Sequence, residues 1–186
     1  MPRNLASIVA SLNRAGELVG APESDPVVNG LTTDSRTVEP GLVYFAVRGS
    51  RLDGHRFLAD AVARGAAAVA VEEPAQLAVP QVVVRNGRRA VQVAAQEWYG
   101  DPARHLTLVG VTGTNGKTTT TALVRHLLNA GETAGSMGTL GAFDGTGAAI
   151  PSEAGSLTTP GPIGLQATLA TLVDRGCEHV AMEASS

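Results

Sequence analysis

The stretch Val111-Thr-Gly-Thr-Asn-Gly-Lys-Thr-Thr119 carries the residue types that a bound phosphate needs. Gly113 and Gly116 let the backbone turn its N–H groups toward one point, and the start of a helix behind them adds partial positive charge. Lys117 supplies a compact ammonium that reaches outer phosphates, and the hydroxyl of Thr118 is a hard donor for Mg²⁺. The spacing departs from G-x-x-x-x-G-K-[ST], because position 111 is valine and the glycines stand at 110, 113 and 116. An ordinary glycine-containing turn between strand and helix is the alternative. Glu183 ends the run His179-Val-Ala-Met-Glu183 with a carboxylate suited to the same cation. Its alternative role is structural, at the cost of burying a charge without a partner.

Such a loop needs a strand before it and a helix after it, and the pattern predicts both. Leu106-Thr-Leu-Val-Gly-Val111 is near-continuously apolar, as in a parallel strand covered on both faces. A helix follows from about 117 to 129, then a glycine-rich loop over 135–155, a helix over 162–175 and a strand over 179–183. Upstream, Pro40-Gly41 turns the chain into a strand over 42–47. Phe57, Leu58, Ala61 and Val62 recur at helical spacing within 55–64, Gly65 stops that helix, and short strands over 67–71 and 82–84 precede a helix over 88–99. Gly100-Asp-Pro breaks the pattern and divides the chain into domains 1–100 and 101–186. The expected fold class is α/β: a small N-terminal α/β domain, then the first half of a P-loop ATPase domain with a parallel sheet. Ligands in such sheets bind at the carboxyl ends of strands, and the chain ends just past one of them.

With 44% hydrophobic residues and a net charge of -3 over 186 residues, the composition excludes a disordered chain and a nucleic-acid-binding tail. Cys177 is the single cysteine, and no Cys/His cluster has zinc spacing, so a reducing compartment is expected. Polar residues interrupt the N-terminal apolar positions, and no apolar run approaches the ~20 residues of a membrane span. A soluble cytoplasmic protein with no nucleic-acid partner and no membrane insertion is expected. His55, His105, His126, His179 and Cys177 read as packing residues. Of the 14 basic residues only Lys117 is a lysine.

Gly113-Thr-Asn-Gly-Lys-Thr-Thr119 resembles the ATP loop of the Mur ligases and of the related folylpolyglutamate synthases. Three further stretches, in matching order, resemble the Mur ligases that attach the third peptide residue of the peptidoglycan precursor. They are Thr32-Thr-Asp-Ser-Arg36 with Pro40-Gly-Leu-Val-Tyr-Phe-Ala46, then Leu157-Thr-Thr-Pro160, then Met182-Glu-Ala-Ser-Ser186. The resemblance implies ATP held by Gly113, Thr114, Asn115, Gly116, Lys117, Thr118 and Thr119, with Lys117 the catalytic residue and Mg²⁺ on Thr118 and Glu183. It implies UDP-MurNAc-L-Ala-D-Glu held by Thr33, Ser35, Ser50, Arg51 and Leu52 in the first domain and by Thr158, Thr159 and Ser185 in the second. Other roles stay open for three of these. Ser35 can cap a turn, Arg51 can be a solvated surface residue, and Thr159 can be simply extended before Pro160.

The activity implied is ATP-dependent amide formation through an acyl phosphate, with a diamino acid as the second substrate and a monomer as the catalyst. The family also implies a second Mg²⁺ held by a histidine and a carbamylated lysine. Lys117 is already engaged with phosphate and no second lysine exists, so the expectation is an N-terminal portion that is not a competent ligase alone. Two alternatives are another enzyme of the same superfamily and a non-catalytic module that binds nucleotide or UDP-sugar.

Overall fold

The computed structural model describes residues 2–49, 52–151 and 160–184, apart from the side chain of Glu132. The chain divides into two units, Met1–Trp98 and Tyr99–Ser186.

In the first unit the order is β1 (Arg3–Asn4), α1 (Leu5–Arg14), β2 (Leu18–Gly20), β3 (Val27–Val28), β4 (Gly30–Thr32), β5 (Leu42–Phe45), α2 (Leu58–Ala63), β6 (Ala68–Val71), β7 (Gln81–Val84) and α3 (Gly87–Trp98). Its sheet runs β2-β7-β6-β5-β4, with β4 to β7 mutually parallel and β2 antiparallel at the edge. β1 and β3 form a separate antiparallel pair. Tyr44, Val69 and Val71 pack with Leu58 and Ala61 of α2. The alternate residues Val43, Phe45, Ala68 and Ala70 are buried as well, and α3 contacts β6 while α1 packs on α3. Burial on both faces explains why these strands read as short unbroken apolar runs.

Two details depart from the sequence pattern. Gly30-Leu-Thr32 is too short to show a period, yet it forms a strand because Leu31 pairs with Val43. The helix expected over 55–64 opens instead as a 3₁₀ turn, Gly54–Phe57, because the side chain of Asp53 accepts the N–H of His55 and tightens the entry.

The second unit contains β8 (Thr107–Val111), α4 (Lys117–Leu128), β9 (Ala134–Gly138), β10 (Gly141–Phe143), β11 (Ala149–Ile150), α5 (Pro162–Asp174) and β12 (His179–Glu183). The sheet order is β11-β10-β9-β12-β8. β12 is parallel to both β8 and β9, while β10 is antiparallel to β9 and β11. The sheet is therefore mixed, and much of the glycine-rich segment expected as loop is strand. The glycines serve close packing there: a Cβ on Gly135 would lie 2.6 Å from Cδ2 of Leu172 and 3.0 Å from the Phe143 carbonyl oxygen. Met137, Ala142, Ile150, Leu169, Leu172, Cys177 and Val180 form the core of this unit.

Asp144 anchors the β10–β11 turn. Its carboxylate accepts the N–H groups of Thr146 and Ala148 at 3.1 and 3.0 Å and pairs with Arg175 at 2.8 Å. The Arg175 hydrogen bond, helped by the Thr146 hydroxyl, pulls the Asp144 carboxyl down to about 2. Among the described residues no helix is long and apolar enough to cross a membrane.

Candidate functional site

β8 ends at Val111 and α4 begins at Lys117, so the glycine-rich loop spans the interval between a strand and a helix start. Gly113 and Gly116 adopt φ of 144° and 76°, a region that side chains disfavour, which is why glycine stands at both positions. No side chain caps α4. Its first helical bond runs from the Thr120 N–H to the Gly116 carbonyl at 2.9 Å, so the N–H groups of Lys117, Thr118 and Thr119 have no acceptor within the helix. These donors point out of the helix start, where an anion is favoured. The ammonium of Lys117 folds back and donates to the Gly113 carbonyl at 2.8 Å. A phosphate oxygen carries more charge than that carbonyl and is the stronger partner for the ammonium.

The parallel pairing of β12 with β8 sets Glu183 opposite Val111, beside the start of the loop. Glu183 is 3% exposed and accepts the backbone N–H and the hydroxyl of Thr139 at 3.2 and 3.0 Å. Gly138 lies against it: a Cβ there would sit 2.6 Å from Cγ and Cδ of Glu183. A pocket of about 260 Å³ is lined by Thr118, Thr121, Arg125, Gly138, Phe143 and Glu183, among others. Among the residues lining this cavity, Thr118 and the buried Glu183 thus bring a hydroxyl and a carboxylate together at a helix start. Two hard oxygens fit Mg²⁺, which completes its shell with water and substrate phosphate oxygens rather than with a full protein cage. No group of three or more His, Cys, Asp or Glu side chains among the described residues could hold a metal without such help.

Gly138 and Thr139 were not foreseen as site residues. Nothing local marks them, because their role arises only when β9 becomes the neighbour of β12.

In the first unit, Thr33 and Ser35 follow β4 and Leu52 follows β5, so they leave the carboxyl ends of two adjacent parallel strands. Thr33 is exposed, and Ser35 is half-buried at the start of a 3₁₀ turn, Ser35–Thr37. Asp34, rather than Ser35, caps that turn by accepting the Arg36 N–H at 2.9 Å. The Arg36 guanidinium bonded to Asp34 at 2.6 Å holds its carboxyl below the usual range. Leu52 is 62% exposed, a large apolar side chain held in solvent. Ser50, Arg51, Thr158, Thr159 and Ser185 lie outside the described residues. His55 is not a simple packing residue: its ring stands 2.7 Å from Asp53 and accepts the Glu72 N–H at 3.0 Å. Cys177 does pack in the core, and burial pushes its thiol up.

Residues 27–108 match the Mur ligase family catalytic domain, and residues 111–186 match the Mur ligase middle domain. The chain belongs to the Mur ligase family. Among similar curated proteins, the UDP-N-acetylmuramoyl-L-alanyl-D-glutamate--2,6-diaminopimelate ligase of Pseudomonas putida is 46% identical over 168 residues, covering 87% of this chain and 33% of that enzyme. The protein of the same name from Aquifex aeolicus is 41% identical over 160 residues, 86% of this chain and 32% of that one. The chain therefore spans about a third of the length of the curated relatives it matches. A solved structure of a UDP-N-acetylmuramoyl-L-alanyl-D-glutamate--2,6-diaminopimelate ligase superposes with a TM-score of 0.65 at 28% identity, covering 86% of this chain and 32% of that one. MurF ligase from Thermotoga maritima in complex with ADP gives 0.57 at 25% identity, over 85% of this chain and 32% of that one. In this member of the family the middle-domain match begins at Val111, where β8 meets the loop, and includes Glu183, so the glycine-rich loop and the buried carboxylate belong to one matched region.

Proposed function

We propose that this chain provides the UDP-substrate domain, residues 1–100, and the phosphate-binding part of the ATP domain, residues 101–186, of a ligase that joins a diamino acid to UDP-MurNAc-L-Ala-D-Glu. The reaction is ATP-dependent amide formation through an acyl phosphate, a cytoplasmic step of peptidoglycan synthesis that serves cell shape and division. The single observation that carries this reading is the register of β12 on β8, with the Glu183 carboxylate beside the loop that ends in Lys117 and Thr118. The names of the similar curated enzymes and the ADP complex of a structural neighbour support the substrate and nucleotide assignments.

Catalysis of this class is mostly positioning and charge neutralisation. The free N–H groups at the start of α4 and the glycine-turned loop orient the triphosphate, and Gly113, Thr114, Asn115, Gly116 and Thr119 form its walls. Lys117 leaves the Gly113 carbonyl for the outer phosphates, where its charge offsets what develops on the transferring group. Thr118 and Glu183 would hold Mg²⁺, which when bound neutralises phosphate charge. Thr139 keeps the Glu183 carboxylate turned into the site. Thr33, Ser35, Ser50, Arg51 and Leu52 would hold the UDP end, and Thr158, Thr159 and Ser185 the muramoyl part. The protein works as a monomer on small molecules, with no nucleic acid and no membrane insertion.

Calorimetric titration of Mg-ATP tests the cradle. Lys117→Ala is expected to weaken binding at least about tenfold, the loss of one charge-assisted hydrogen bond, without lowering the melting temperature. Unchanged affinity in the alanine variant overturns the assignment.

A further inference from the structure

Thr118, Thr121, Ala122 and Arg125 of α4 line the cavity that Glu183 helps to close. Their spacing of i, i+3, i+4 and i+7 is that of a single helix face, so the cavity runs along α4 from its first turn to its third. The polar side chains on this face differ in what they already hold. The Arg125 guanidinium donates to the carbonyls of Ala134, Asp144 and Gly145 at 3.0, 2.7 and 3.3 Å, so it is committed to tying α4 to β9 and to the β10–β11 turn.

Thr121 is 4% exposed, and its Oγ1 is shut off from solvent without a hydrogen-bond partner in the protein. Thr168 of α5 is buried to the same 4%, yet its hydroxyl donates to the Gly164 carbonyl one turn back at 2.9 Å. Thr171 does the same to the Ala167 carbonyl at 3.0 Å. Threonines inside helices commonly satisfy themselves in this way. A buried hydroxyl without such a bond lowers the stability of the fold that carries it, and each one calls for a partner.

The place of Thr121 indicates what that partner is. Cβ atoms three positions apart on a helix are ~5–6 Å from each other. A cation on the Thr118 hydroxyl holds its own waters at ~2.1 Å, and a hydrogen bond adds ~2.8 Å, so one water of its shell spans the distance to Thr121. A metal-bound water donates and needs an acceptor, which a hydroxyl lone pair supplies. A threonine in a helix has two χ1 rotamers open to it, so Oγ1 can turn to meet such a donor.

Resting on the reading of Thr118 and Glu183 as the residues that hold Mg²⁺, we infer that Thr121 is a positioning residue for that cation, its hydroxyl accepting a hydrogen bond from a water of the cation's shell. The hydroxyl destabilises the free protein and is satisfied in the loaded one, so a single substitution moves the two states in opposite directions.

Thr121→Val tests this in the 186-residue chain, because it keeps the shape and helix propensity of the side chain while a methyl replaces the hydroxyl. Without nucleotide the variant is expected to melt roughly 2–6 °C above the parent. Mn²⁺ titrated in the presence of ATP, followed by electron paramagnetic resonance, is expected to bind about fivefold more weakly, the worth of one neutral hydrogen bond. Thr121→Ser keeps the hydroxyl and is expected to hold Mn²⁺ within about twofold of the parent. A valine variant that melts below the parent shows a hydroxyl already bonded in the free protein and overturns the role. So does a valine variant with the parent's Mn²⁺ affinity, or a serine variant as weak as valine. A Thr118→Ala variant that holds Mn²⁺ as tightly as the parent overturns the cation reading itself, and this role with it.

Discussion

Gly138→Ala probes the carboxylate through its packing rather than its charge. The new methyl would sit 2.6 Å from Cγ and Cδ of Glu183, roughly 1 Å inside the ~3.5 Å at which carbon atoms begin to attract. Glu183 has no easy escape, being 3% exposed with both carboxylate oxygens held by Thr139. Overpacking of this kind costs about 1–3 kcal/mol, and a broken hydrogen bond to a charged group adds about 1.5–3 kcal/mol. A destabilisation of about 2.5–6 kcal/mol is expected, against the ~5–15 kcal/mol that a domain has in hand. Urea unfolding reads the stability, and Mn²⁺ titration in the presence of ATP, followed by electron paramagnetic resonance, reads the cation site. Cation affinity should fall together with stability, because the carboxylate is displaced from the pocket it shares with Thr118. Repeating Gly138→Ala in a Glu183→Ala background removes the clash, so most of the cost should vanish there. The reasoning is refuted if the single substitution costs less than about 1 kcal/mol, or costs the same in both backgrounds.

Two other outcomes follow from buried groups of the second unit. Asp144 has a carboxyl depressed to about 2 from an ordinary value of 3.8, so its contribution to stability is present above about pH 4 and is lost as the pH falls toward 2. Asp144→Asn should lower the melting temperature at neutral pH and flatten the acid limb of its pH profile; an unaltered limb would exclude the Arg175 pair as a source of acid sensitivity. Cys177 is 4% exposed with its thiol pushed up by burial, so a thiol reagent should label it only as fast as the unit opens. Fast labelling at a rate proportional to reagent concentration under native conditions would contradict the packing.

The phosphate loop was legible because every part of it is local. Two glycines, a lysine, a hydroxyl and a flanking apolar strand lie within a dozen residues, and Gly113 and Gly116 take up the positive φ their spacing suggests. The alternating strands and helices were legible for a similar reason, since double-sided burial writes itself into short runs such as Leu42–Phe45. The segment after α4 was misread as loop. Glycine ordinarily signals a turn, but at Gly135 and Gly138 it answers side chains that arrive from α5 and β12, some 37 to 45 positions further along the chain. His55 was misread as packing because its two partners, Asp53 and the Glu72 backbone, are ordinary until β5 and β6 lie side by side.

By itself, then, the sequence determined the chemistry on offer: a single lysine beside a turned backbone, a hydroxyl for a cation, and a carboxylate closing a strand. These depend on residue type and on spacings that a few backbone dihedrals control. Only the tertiary structure decided that β12 lies between β8 and β9, which sets Glu183 beside the loop on one side and over Gly138 on the other. Strand order is a matter of long-range packing and register, in which apolar faces must be buried and every backbone group paired, and neither condition is visible in any one segment alone.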